Sequence, residues 1–359
     1  MSIVADASRV LVTPTARVAL DVMGGDKGPG EMILGAIQAA REYGIGVYLV
    51  GRKNMIRAEL AKHDTDGLYL PIVHTDEVIE MDDHPAAAVR RKKNASMLVA
   101  LQLVRDGKAL GAVSAGNSGA MMAASLFILK RIPGVDRPAL GGMFPSAKSA
   151  CLIIDIGANT DCKPEYLQQF ALMGSIYIER LYRIPLPRVG LLANGEEETK
   201  GSQQVIETHQ LLKANAKVLG INFVGNIEGR DIPAGNVDVA VCDGFVGNAV
   251  VKLGEGLGET LFTLIREQLN SNIPVNKLAA AVLRPGLRKV FKRFDYTEYG
   301  GVPLLGVNGA AIVAHGRSNA KAIKNALRVA RQTAETEVAQ AIAEGLMKLD
   351  PVPIHNTPL

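Results

Sequence analysis

Short apolar runs alternate with longer apolar-periodic segments along almost the whole chain. Val18–Val22, Val47–Val50, Leu68–Val73, Ala112–Ser114, Leu140–Phe144, Leu152–Ile154, Val189–Leu192, Asn222–Val224 and Val237–Val241 have the length and apolar density of short strands. Between several of them, Glu31–Tyr43, Ala95–Asp106, Ser118–Lys130, Glu165–Tyr182 and Ser202–Ala214 repeat apolar residues at helical spacing. A last helix is predicted over Asn319–Glu344, with Ile323, Ala326, Leu327 and Ala330 on one face. The alternation predicts an α/β fold, a mainly parallel sheet with helices on both faces. Leu253–Tyr299 breaks the pattern. It reads as a long helix, a Ser271-Asn272-Ile273-Pro274 break, and a second, basic helical piece interrupted at Pro285-Gly286. We expect it to form a helical excursion (253–299) from a single α/β domain spanning 17–359, with residues 1–16 as a tail.

Composition narrows the function classes. At 359 residues, 48% hydrophobic and 21% charged, with 37 glycines, the chain is a folded, turn-rich globular protein. Trp is absent and aromatics reach only 4%, which argues against a stacking platform for single-stranded nucleic acid. A net charge of +4 is too small to imply a nucleic-acid partner. Cys151, Cys162 and Cys242 have no metal-type spacing and fit a reducing cytoplasm. The six histidines form no H-E-x-x-H or other recognised ligand spacing, so no catalytic metal is predicted. The first residues, MSIVADASRVLVTPTA, lack the continuous apolar core of a signal peptide. Ala109–Leu129 is free of charge, but Ser114, Gly116, Asn117, Ser118 and Gly119 split it into a strand and a helix, not a membrane span.

The candidate chemistry lies in polar turns that follow the strands. DIGANTDCKPEYL (155–167) leaves a strand at Asp155, passes Gly157 and Asn159, and opens a helix at Lys163-Pro164. Such a turn is an ordinary βα connection with proline first in the helix, or an anion site built from glycine N–H groups, a helix start and a lysine. Five more turns repeat the theme: Asp21 to Asp26 with Gly24 and Gly25, Ala115 to Gly119 with Asn117 and Ser118, Asn194 to Gly201 with Lys200, Cys242 to Asn248 with Asp243, and Val307 to Ala310 with Asn308. In a parallel sheet such ends share one edge, where ligands of open α/β sheets bind.

These motifs carry a resemblance. ALDVMGGD, SAGNSGA, DIGANTDCKPEYL, LLANGEEETKG, VCDGFVGN and GVNGAAIVAHG, in this order between Arg17 and about Gly345, resemble the PlsX family of bacterial phosphate acyltransferases. The residues before Arg17 depart from the pattern as an extension. The resemblance implies transfer of a fatty acyl group from acyl carrier protein to inorganic phosphate, giving an acyl phosphate for phospholipid synthesis. It also implies a fold like isopropylmalate dehydrogenases and phosphotransacetylases, and a homodimer without a cofactor. The cytoplasm is the implied location, with peripheral contact at the inner face of the membrane and functional contact with a membrane glycerol-3-phosphate acyltransferase.

That chemistry assigns expectations to residues. Lys163 is the expected cation on phosphate or oxyanion, with Asn159 as a neutral donor and Asp155 as the third member of the catalytic set. Asp21, Gly24, Gly25, Asn117, Ser118, Gly119, Asn194, Lys200, Asp243, Asn248 and Asn308 are the expected phosphate or thioester contacts. The carboxylates among these repel phosphate and fit better as groups that orient Lys163 or the amides, or as helix caps. Lys200 is a second cation or simply a surface partner of Glu196–Glu198. Cys162 beside Lys163 is a weak nucleophile candidate, since no histidine lies near it. His315 in AHGRSN reads as a loop or helix-start residue, and Arg90-Arg91-Lys92-Lys93 as a solvated charge run. Arg284, Arg288, Lys289, Lys292 and Arg293 form a cationic surface for carrier protein or anionic lipid, beside an apolar face of Leu287, Val290, Phe291 and Phe294. The rivals are a nicotinamide-dependent dehydrogenase, disfavoured by the lack of G-x-G-x-x-G, a phosphotransacetylase acting on coenzyme A thioesters, and a carrier or membrane docking module.

Overall fold

The computed structural model describes residues 14–148, 150–269, 283, 286, 290, 292 and 294–349. The first part of the chain runs β1 (Arg17–Asp21), α1 (Pro29–Tyr43), β2 (Gly46–Gly51), α2 (Lys53–Leu60), β3 (Ile72–His74), α3 (Pro85–Arg91), α4 (Ser96–Arg105), β4 (Gly111–Ser114) and α5 (Ser118–Ile128). The middle runs β5 (Ala139–Pro145), β6 (Ala150–Ile154), α6 (Pro164–Tyr182), β7 (Arg188–Leu192), α7 (Gln203–Leu219), β8 (Asn222–Ile227), α8 (Asp231–Ala234), β9 (Val239–Val241) and α9 (Gly244–Leu269). The last part runs β10 (Val302–Leu305), β11 (Ala310–Val313), α10 (Ala320–Glu335) and α11 (Val338–Leu346).

The strands form one sheet in the order β3-β2-β1-β4-β11-β10-β5-β6-β9-β7-β8. Pairing is parallel from β3 to β11 and again from β6 to β8, as the βα alternation predicts. Between these blocks, β10 and β5 insert three antiparallel pairings. The two parallel blocks therefore run in opposite directions, and their carboxyl ends do not share one edge. This corrects the single-edge expectation: convergence of the polar turns has to come from sheet twist and from helices that reach across.

Alternation within each strand explains why both faces are covered. Val18, Leu20, Val47 and Leu49 face α1 and α10, whereas Ala19, Tyr48 and Val50 face α4. In the other block, Leu152 and Ile154 pack toward α6, and Cys151 and Ile153 toward the opposite side.

Two strands, β10 and β11, were not evident in the sequence pattern. Pro303 demotes VPLL as a strand, and AAIV is too alanine-rich to stand out. Pro303 is tolerated because β10 pairs with β11 through Val302 and Pro303, and with β5 through Leu304 and Leu305. Neither neighbour needs the full length of the strand. The predicted Asn319–Glu344 helix is in fact two, broken where Glu337 adopts a left-handed φ of 54°. The excursion starts earlier than Leu253, because α9 begins at Gly244. Of the predicted cationic surface, Arg284, Arg288, Lys289 and Arg293 lie outside the described residues. Lys292 is exposed and pairs with Glu298 at 3.6 Å. Among the described residues, no helix is long and apolar enough to cross a membrane.

Candidate active site

Two buried carboxylates hold the turns that shape the site. Asp21, at the end of β1, accepts the N–H groups of Met23 (3.1 Å) and Gly24 (3.2 Å) and the Ser114 hydroxyl (2.7 Å). Ser114 in turn accepts from Gly116 N at 3.1 Å, which ties the turn after β4 to the turn after β1. The approach is so close that a Cβ on Gly24 would fall 2.7 Å from Gly116 N. Asp155, fully buried at the end of β6, plays the same part for the second block. Its carboxylate accepts from the N–H groups of Leu140 (3.0 Å), Gly157 (3.2 Å), Ala158 (3.0 Å) and Asn159 (2.7 Å), and from Asn159 Nδ2 (2.9 Å). Burial pushes the Asp155 carboxyl above its ordinary value, opposed by the Ala158, Leu140 and Asn159 donors.

This geometry corrects two expectations. The N–H groups of Gly157, Ala158 and Asn159 point at Asp155, so they are not an open cradle for phosphate. Asn159 uses its amide protons on Asp155 and on Pro138 O (2.8 Å), which makes it a brace and not a donor to an oxyanion. Asn117 is likewise a structural tie: it caps α5 through Ala120 N (3.0 Å) and donates to Met81 O (3.0 Å) and Asp83 O (3.1 Å). Gly119 is needed for packing, because a Cβ there would meet Pro85 at 2.8 Å.

Helix α9 crosses to the Asp155 turn and closes the site. Gly244 N donates to Asn159 O at 2.7 Å, and a Cβ on Gly247 would collide with Asp155 O at 1.9 Å. Glycine at both positions lets the helix start lie directly on the turn. Asp243 caps that helix through Val246 N at 2.9 Å.

A cleft of about 470 Å³ results, walled by Ser118 at the start of α5, Gly142 of β5, Gly157, Asn248 and Lys252 of α9, and His315 after β11. Gly25 lies behind this wall, where Asp26 N donates to Gly316 O at 2.8 Å. Asn194 and Asp243 instead border a neighbouring cleft of about 420 Å³ between β7, α7 and α9. Lys163 is exposed at the N-cap of α6, and among the described residues neither cleft wall includes it or Lys200. The glutamates before Lys200 pair elsewhere, Glu196 with Arg230 (3.4 Å) and Glu198 with Lys213 (2.6 Å). Asn308 is misplaced by the single-edge expectation. It sits in the turn before β11, at the opposite end of that strand from His315, and donates to Arg131 O at 2.8 Å. In the charge run, Arg91 (3.6 Å) and Lys92 (2.5 Å) pair with Asp83.

The sequence pattern missed His315 and Lys252. The signal was in GVNGAAIVAHG, whose His-Gly end follows the β11 strand, whereas Asn-Gly precedes it. His315 Nδ1 accepts from Arg317 N at 3.1 Å, which leaves Nε2 as the donor of the neutral ring. The ring is exposed by area, yet desolvation and the Lys252 and Arg317 cations hold its pKa below 6.5. Lys252 pairs with Glu255 at 3.2 Å. Cys162 is buried, and burial with the Asp155 and Asp243 charges pushes its thiol up to about 12. Such a thiol is neutral at physiological pH, and its burial also argues against a nucleophile.

Comparison with known proteins gives this site its family. The profile of a family described as "Fatty acid synthesis protein" matches residues 16–341. The phosphate acyltransferase of Pelotomaculum thermopropionicum is 51% identical over 334 residues, covering 93% of this chain and 96% of that one. That of Geobacter sulfurreducens is 48% identical over 328 residues, covering 91% and 93%. In fold, a phosphotransacetylase from Streptococcus pyogenes superposes with a TM-score of 0.61 at 18% identity, covering 92% and 95% of the two chains. The EutD phosphotransacetylase from Staphylococcus aureus gives 0.60 at 17% identity, covering 89% and 94%. With half its residues shared over nearly its full length, the chain belongs to the PlsX family of phosphate acyltransferases and is an enzyme that transfers an acyl group to phosphate.

Proposed function

We propose that the acyl donor is a long-chain acyl carrier protein and that the acyl phosphate formed feeds phospholipid synthesis. The observation that carries the site's part in it is the composition of the cleft: a helix start at Ser118, a neutral imidazole donor at His315 and a cation at Lys252 face one space with no reactive thiol among them. The nucleophile is then phosphate itself. A phosphate oxygen attacks the thioester carbon, a C–O bond forms, and charge collects on the former carbonyl oxygen. The C–S bond breaks, the carrier's thiolate leaves, and the proton of hydrogen phosphate ends on that thiolate. The first turn of α5 has N–H groups for the anion. His315 Nε2–H suits the developing oxyanion. Phosphate-dependent discharge of palmitoyl carrier protein tests this reading.

Direct attack sets an expectation for Cys162. Cys162→Ser is expected to keep most of the wild-type turnover, and quenched reactions followed by mass spectrometry should show no acylated protein. An acyl group trapped on Cys162 would falsify direct attack.

We propose for Lys163, exposed at the α6 N-cap, only the role of a surface cation that attracts phosphate to this side of the protein. Because it is exposed and outside the cleft wall, its loss should act on binding more than on chemistry. Lys163→Ala is expected to raise KM for phosphate about tenfold, the scale of one hydrogen bond to a charged group, with a smaller change in kcat. A phosphate titration with unchanged KM would remove it from the site.

We also propose a homodimer. Leu253, Leu257, Leu261 and Leu264 form an exposed apolar stripe along the outer face of α9, as an interface between copies would require. Sedimentation of the intact chain checks it, a purely monomeric mass being the contrary result. Peripheral contact with the membrane and with a glycerol-3-phosphate acyltransferase remains part of the same proposal. Binding of the purified protein to anionic vesicles checks the first, and co-sedimentation with membranes containing that enzyme checks the second. No binding in either assay would count against them.

A further inference from the structure

The inner face of α9 leads from the cleft into a second, more apolar space. Val251, Gly254, Gly258 and Phe262 recur at helical spacing, each half-buried, on a face distinct from the exposed leucine stripe. They face Met143, Phe144 and Pro145 of β5 and, beyond them, Phe294, whose ring packs edge-on against Phe262 with centroids 5.7 Å apart. The groove so formed has a volume of about 580 Å³, within the usual range of small-molecule sites. Met143, Val251, Glu255 and Tyr299 belong to its wall and to that of the catalytic cleft, so the two spaces are continuous. Charged groups line its rim: Lys321 pairs with Asp295 (2.7 Å) and Glu298 (2.8 Å), Lys292 with Glu298 (3.6 Å) and Glu255 with Lys252 (3.2 Å), while Glu259 and Arg266 lie along the α9 side. The β5 side, Met143, Phe144 and Pro145, is apolar, and so are the α9 positions Val251, Gly254, Gly258 and Phe262 opposite it.

The groove is also long. From Val251 to Phe262, α9 rises about 16 Å at about 1.5 Å per residue, the span of a long hydrocarbon chain and far more than an acetyl group needs. Two glycines on its inner face behave differently. A Cβ on Gly254 would fall 2.4 Å from the Phe144 ring, so that position is glycine because β5 is there. A Cβ on Gly258 would meet nothing within 4 Å. No neighbouring protein atom demands a glycine there, and glycine weakens a helix. Its effect is to keep the groove open.

We propose that this groove holds the hydrocarbon chain of the acyl donor, with the thioester at the His315 end and the chain running along Val251, Gly258 and Phe262, and that Gly258 sets how long a chain is accepted. The proposal rests on the reading that the substrate carries a long acyl group. A side chain at 258 would occupy the middle of the groove, block chains that extend past it and leave shorter ones room.

Gly258→Phe tests this. Its fold is checked first by circular dichroism and thermal melting, and Gly258→Ala serves as a small-volume comparison. The ratio of kcat/KM for palmitoyl over butyryl carrier protein is expected to fall at least tenfold in Gly258→Phe and little in Gly258→Ala. An unchanged ratio overturns the proposal, as does an equal loss for both chain lengths. Binding of cis-parinaric acid, read by its fluorescence, keeps the groove separable from the carrier. If wild-type protein discharges no acyl carrier protein yet binds this fatty acid at least tenfold tighter than Gly258→Phe does, the carrier reading has failed and the groove stands. Equal binding by the two proteins overturns the groove. So does a changed oligomeric mass with unaltered fatty-acid binding, which would make this face a contact between copies.

Discussion

Asp155→Asn is expected to lower stability by about 3 kcal/mol and acyl transfer by at least about a hundredfold. The wild-type carboxylate takes four backbone N–H groups and the Asn159 amide in a fully buried position. An amide of the same shape keeps one acceptor oxygen and turns an NH2 group toward donors. At least one buried N–H is left unpaired, and the turn has to open. The stability term follows from that alone, since an unsatisfied buried group costs about 1–3 kcal/mol and more when charge is involved. The activity term follows from what rests on the turn. Gly157 is part of the cleft wall, and the α9 start with Gly244 and Gly247 lies directly upon it. A shift of about 1 Å in such an arrangement typically costs about a hundredfold in rate. Denaturant unfolding and steady-state assays measure both terms. A mutant with wild-type midpoint and wild-type turnover would contradict the bracing role.

The second large effect is expected at His315. His315→Ala should lower kcat by about a hundredfold or more with little change in fold, the usual loss for one preorganised oxyanion donor. Its side chain is exposed, and its removal takes from the Arg317 N–H the Nδ1 acceptor it now has. The pH dependence supplies a second readout. Desolvation and the Lys252 and Arg317 cations lower the imidazole pKa in the fold, so the ring is mainly neutral at neutral pH. Protonation comes only as pH falls through the lowered value. It would place an Nδ1–H against the Arg317 N–H that Nδ1 now accepts, and the ring would turn from its place. The wild-type kcat profile should therefore hold its plateau at neutral pH and decline on the acid side, with a limb below that of an ordinary imidazole. His315→Gln, which retains a neutral donor, should recover part of the rate and lose that acid limb. Near-normal kcat in well-folded His315→Ala would remove the residue from the mechanism.

Most of the fold was legible because strand and helix periods are written into burial on both faces of the sheet. Val18–Leu20 and Val47–Val50 have to be apolar at every position when α1 and α4 cover opposite sides. What hid β10 and β11 was local chemistry, a proline in one and alanines in the other, overruled by their place between the two parallel blocks. Their antiparallel insertion is also why the polar turns could not be assigned to one site from the sequence. Whether Asn194 and Asn117 meet depends on strand direction, which a single chain of letters does not state. The candidate residues were found as types: Asp21, Asp155 and Asn159 do sit at strand ends. Their function there is to hold each turn against itself, and the groups left facing the cleft include His315, which reads as an ordinary loop or helix start, and Lys252, which lies inside a helix with no motif around it.

The most direct test of the account is to incubate the purified protein with palmitoyl carrier protein, with and without inorganic phosphate. Holo carrier protein and palmitoyl phosphate are then followed by mass spectrometry. The account predicts equal amounts of the two products, formed only when phosphate is present and at a rate that saturates with its concentration. Discharge that proceeds without phosphate, or free palmitate in place of the acyl phosphate, would contradict it, and so would turnover of palmitoyl coenzyme A with none of the carrier-bound thioester.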